Sequence, residues 1–122
     1  MNRKNIINSI ENVKERIDRV KEIISEKEKV IDYLSEQYYY EALKINLVEI
    51  GEESKVINDI LLEKEDDWDD IISKEYHFKI SLTHYYKNMS EIKIDKHLER
   101  DFEKFIEKIN ELEKKYRKKE DK

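Results

Sequence analysis

Three histidines supply the side chains that could move protons near neutral pH. Two of them belong to a series: His77, Ser81, His84 and Asn88 follow one another at spacings of four, three and four residues. At roughly 100° per residue this rhythm sets all four along one side of a helix. The stripe offers hydrogen-bond donors, acceptors and two titratable rings, so it reads either as a solvated face or as a site. One metal ion is not expected there. His77 and His84 are about 10.5 Å apart along a helix axis, too far to share an ion without a second chain. The acidic run 63–70 lacks the glycines and ligand spacing of a cation loop and reads as a cap and a solvated turn. His97, beside Lys96 at the start of a last helix, is expected at the surface. The basic run 114–119 suits a helix C-terminus, with contact to phosphates as the alternative.

Composition limits what can position these residues. The chain has 122 residues, 45% of them charged and 38% hydrophobic, with a net charge of −5, no Pro, no Cys and one Gly. Absence of Cys excludes disulfides, thiolate metal sites and a cysteine nucleophile. A single glycine excludes the phosphate cradles of dinucleotide and P-loop sites. No apolar run exceeds Ile60-Leu61-Leu62, so neither a membrane span nor a leader peptide is expected, and the expected location is the cytoplasm. So high a charge borders on that of disordered chains, and only the placing of the apolar residues decides otherwise.

That placing is helical. Ile6, Ile10, Val13, Ile17, Val20 and Ile24 form one stripe; Leu43, Leu47, Ile50, Ser54, Ile57 and Leu61 form a second. Leu98, Phe102, Phe105, Ile109, Leu112 and Tyr116 form another, and Trp68, Ile71, Phe78 and Leu82 a shorter one that Glu75 interrupts. Asp66 or Asp67 can cap that shorter helix, with Asp69 and Asp70 in its first turn. The expected architecture is an all-α antiparallel four-helix bundle, one domain over 1–122, with helices at about 3–35, 38–63, 67–88 and 95–118. Gly51 lies inside the second stripe, where it costs about 1 kcal/mol relative to Ala unless two helices cross closely there. Charge is uneven, acidic over residues 1–72 and mildly basic over 73–122.

Two segments carry a family resemblance. One is Glu41-Ala42-Leu43-Lys44-Ile45-Asn46-Leu47-Val48-Glu49-Ile50-Gly51-Glu52; the other is Trp68-Asp69-Asp70-Ile71-Ile72 leading to His84-Tyr85-Tyr86. Together they resemble the HepT-like branch of the HEPN superfamily, small all-α proteins of prokaryotic toxin–antitoxin and defence systems. The family motif Arg-x4-6-His-x-Tyr is matched at its end by His84 and Tyr86. Its Arg is absent; His77, Phe78 and Lys79 occupy the allowed positions, and Lys79 is nearest in charge.

The resemblance implies a metal-independent endoribonuclease, needing no cofactor, that works as a homodimer with the two motifs meeting in a cleft. Cleavage by 2′-hydroxyl attack needs a proton carrier and a cation beside the phosphorane, roles that fall to His84 and Lys79. A lysine is the poorer clamp, since its ammonium lacks the two-pronged contact of guanidinium. Five residues turn a helix by about 140° net, so Lys79 and His84 of one regular helix do not converge; a helix that ends between them or a second chain is needed, and the resemblance implies the second chain. The family also implies a minimal nucleotidyltransferase antitoxin as partner, with Tyr86 as the residue open to adenylation; Glu52 is a supporting candidate beside Gly51, with Ser81, His77 and Asn88 from the polar stripe. With the Arg missing, the alternative is a weakened HEPN module that pairs with such a partner, or binds RNA or nucleotide, without cutting. An unrelated helical interaction protein is a third reading.

Overall fold

The computed structural model describes residues 3–63, 69–84 and 87–120 of the chain. They form five α-helices: α1 (Arg3–Ser25), α2 (Tyr33–Glu63), α3 (Asp70–His84), α4 (Lys87–Arg100) and α5 (Phe102–Glu120), with a 3-10 turn at Lys27–Lys29. Four of them, α1, α2, α3 and α5, close a ring in which each packs on its two neighbours. Cross-ties fix the directions. Arg16 meets Glu49 while Asn12 meets Glu53, and Lys14 meets Glu113 while Arg117 meets Glu11. In each pair of ties one residue number rises as the other falls, so the neighbours run antiparallel. The expected four-helix bundle is therefore present as this ring, and α4 is a fifth helix, packed on α2 and α5.

The apolar stripes make the core. Ile6, Ile10, Val13, Ile17 and Val20 of α1 are buried, as are Leu43, Leu47, Ile50, Ser54, Ile57 and Leu61 of α2 and Phe102, Phe105, Ile109, Leu112 and Tyr116 of α5. Each large apolar side chain contributes about 1.5–3 kcal/mol when taken fully out of water. Ile24, the last position of the first stripe, is partly exposed because α1 ends one residue later.

The boundaries differ from the sequence expectation for identifiable reasons. The first helix stops at Ser25 instead of running to 35, because Asp32 and Ser35 start a new one. Ser35 N donates to Asp32 Oδ1 at 2.8 Å, and Ser35 Oγ accepts from Ile31 N and Asp32 N at 2.9 and 3.1 Å. These reciprocal bonds satisfy the free donors of the α2 N-terminus, and they hold the exposed Asp32 carboxyl below its ordinary pKa. The cap of α3 is Asp69, whose Oδ1 accepts from Ile72 N at 2.9 Å. Asn58, almost fully buried on α2, brackets Asp69 through its backbone N and O at 3.4 Å each. Asp66, Asp67 and Trp68 lie outside the described residues. The described part of the third helix is Asp70–His84, Tyr85 and Tyr86 lying outside the described residues, and the last is divided at Asp101, whose N bonds the His97 carbonyl and whose own carbonyl accepts from Phe105 N.

Candidate functional site

Gly51 is where the second and third helices cross most closely. A Cβ built there would overlap the Cβ of Lys79 and sit 3.1 Å from the Glu75 carbonyl oxygen. Hydrogen is the side chain this crossing admits, which explains a glycine inside a long helix. The crossing sets the first of the two segments that carry the family resemblance, at Gly51, against the stretch of α3 between Ile72 and His84. Lys79 lies over Gly51, its Nζ 3.9 Å from Glu52 Oε1 and 5.7 Å from the Tyr76 ring centre. The Lys79 side chain is only 22% exposed, while Glu52 stands in solvent.

The polar stripe occupies the other side of α3. His77 and His84 are exposed, and half-buried Ser81 turns its hydroxyl back to the His77 carbonyl at 3.2 Å. Because α3 is unbroken from Asp70 to His84, Lys79 points toward α2 while His84 points away from it. The two do not meet within one chain. Tyr85 and Tyr86 lie outside the described residues, as does the Asn88 side chain.

The surroundings of Glu52 are acidic. A groove of about 340 Å³ between α1 and α2 is lined by Asn12, Glu15, Arg16, Glu49, Glu52 and Glu53. Arg16 is engaged there, 2.6 Å from Glu49. Such a groove repels anions. The basic C-terminal run is partly used within the fold: Tyr116 is buried, and Arg117 pairs with Glu11 and Glu113 at 2.8 and 3.2 Å. Lys14 at 2.7 Å, and then Arg117, keep the Glu113 carboxyl below its ordinary pKa.

One expectation is corrected. His97 is buried rather than at the surface, and Glu75, which interrupts the α3 stripe in sequence, is buried with it at 2% exposure. His97 Nε2 lies 2.7 Å from Glu75 Oε1, with Phe78 stacked on the imidazole at 3.9 Å between ring centres and Phe102 tilted against it at 5.8 Å. Burial raises the Glu75 pKa; His97 opposes the rise and Asp101 adds to it. Spacing held a clue that charge obscured, since Glu75 stands at an apolar position of α3, and Ser90, Ile94 and His97 share one buried line on α4.

Among the described residues no three His, Asp or Glu side chains gather as a metal site, and no helix is long and apolar enough to cross a membrane. No family model matches the chain, and no curated protein and no solved structure matches it either.

Proposed function

We propose that this chain is a HepT-like HEPN protein of a toxin–antitoxin or defence system that cuts RNA without metal, at a site shared by two copies of the chain. The observation that carries the reading is the crossing at Gly51, where the Ile50-Gly51-Glu52 segment and the motif helix meet, with Lys79 on the glycine and Glu52 at its tip. The exposed ring of His84 takes the proton from the attacking 2′-hydroxyl or gives one to the leaving oxygen. A cation opposite it meets the charge that gathers on the phosphorane, and the separation of Lys79 from His84 on α3 supports a reading in which the second copy supplies that cation. A minimal nucleotidyltransferase is the proposed partner. Adenylation of Tyr86 would then add bulk and negative charge two residues from His84, opposing phosphate approach.

The test is incubation of end-labelled RNA with the purified protein in excess EDTA. Cleavage leaving cyclic phosphate ends is expected, with His84→Ala slower by about 10²–10⁴-fold. Cutting that survives in His84→Ala, or that requires added metal, contradicts the proposal. The Lys79–Glu52 pair favours a second reading, because a cation neutralised by its own chain is a weaker phosphate clamp. Retention of RNA without cleavage is the outcome that selects this binding module.

A further inference from the structure

The nuclease reading makes no use of Glu75 and His97, two buried titratable groups in contact with one another. Among the described residues the backbones of α3 and α4 hardly approach one another, and the contacts between these helices include side chains: Glu75 and Phe78 from α3, His97 from α4. The contact is short, but the imidazole N–H is not aligned with the carboxylate, and neither Glu75 Oε2 nor His97 Nε2 has a well-directed hydrogen-bond partner. Phe78 and Phe102 keep water from the ring. Glu75 borders a cleft of about 40 Å³ that it shares with Ile71, Lys74, Asp101, Lys104 and Phe105, room for about one water molecule.

We propose that Glu75 and His97 form a one-proton latch: a single proton between them docks α4 on α3, and its loss on the alkaline side releases α4. With that proton present, the pair carries no net charge in its buried setting. Without it, the pair carries an uncompensated negative charge, which a low-dielectric interior penalises. The groups around the pair set the balance. Asp101, between α4 and α5, opposes a negative Glu75; Lys74 on α3 and Lys104 on α5 flank the same cleft and favour it; α2 meets this turn of α3 at uncharged Gly51. Burial outweighs the rest and lifts the Glu75 carboxyl above its ordinary 4.5. A group whose folded pKa is raised stabilises the docked state fully below its unfolded value, and that contribution is lost as the pH rises through the folded value. Since α4 follows His84 after two residues, its release would also free the end of α3. That bearing on catalysis rests on the proposed site, whereas the latch itself does not.

Amide hydrogen exchange of the full chain tests this without RNA, so failure here and failure to cut RNA are separate results. Between about pH 5 and about pH 9, after correction for intrinsic exchange, protection of α4 is expected to fall up to tenfold per pH unit and then level off. The α1 amides should not follow. Glu75→Gln should flatten the α4 profile, because its amide supplies an N–H to the ring nitrogen at every pH. Should that variant not fold, the ¹⁵N resonances of the His97 ring in the unaltered protein replace it, and they must change over the same pH range as α4 protection. Protection of α4 that is independent of pH, an equal slope in Glu75→Gln, or a ring titration uncoupled from α4 overturns the latch.

Discussion

Gly51→Ala is expected to lower the unfolding free energy by about 2 kcal/mol, although alanine is the better helix former by about 1 kcal/mol. The added methyl would overlap the Lys79 Cβ, an atom fixed to the α3 backbone rather than the free end of a flexible chain. The Glu75 carbonyl on the same face of α3 leaves no sideways escape. Relief therefore requires α3 to lift from α2 along a seam that also holds Leu82, Ile72 and the Asn58–Asp69 bridge. Overpacking of this kind costs about 1–3 kcal/mol, and the overlap here belongs at or above the upper end. Thermal unfolding followed by circular dichroism should show a midpoint lower by roughly 5–10 °C. A variant more stable than the parent would mean that the helices do not cross this closely.

His97→Ala is the second large effect, with a loss of about 3–5 kcal/mol expected near neutral pH. The substitution leaves Glu75 buried without a partner and removes the ring sandwiched by Phe78 and Phe102. Against a typical domain stability of about 5–15 kcal/mol, this is a large share. The double variant Glu75→Met/His97→Leu provides the contrast. Replacing both members of a buried pair with apolar groups removes the desolvation cost together with the attraction, so it should be near neutral or stabilising. Urea unfolding of the two variants at one pH measures the difference. Equal losses in both would mean that side-chain volume, not pairing, is what matters at this position.

Local rules made some of this legible in the sequence and hid the rest. Spacing alone located the stripes of α1, α2 and α5, because burying one face of a helix leaves a repeat of three and four residues that needs no partner to be recognised. A glycine inside α2 signalled a close crossing, yet nothing near it named Lys79 and Glu75 as what crosses. Asp32 and Ser35 were a readable helix start, obscured because the apolar stripe of α1 reaches Ile24 and no Gly or Pro marks the gap. Glu75 and His97 were illegible for another reason. Glutamate is by type a surface residue and histidine an intermediate one, and what buries them is their packing against one another from two consecutive helices. The opposed directions of Lys79 and His84 followed from helical geometry; only the packing on Gly51 decided which of them faces inward.

The most direct test of a site shared by two copies is complementation. His84→Ala and Lys79→Ala are each expected to be inactive on RNA in EDTA. Co-expressed in equal amounts, they should form mixed dimers in which one of the two clefts keeps both residues. Since half of the dimers are mixed, activity should return to about a quarter of that of the unaltered protein. A mixture as inactive as its two parents would contradict a site built from the His84 of one chain and the Lys79 of the other.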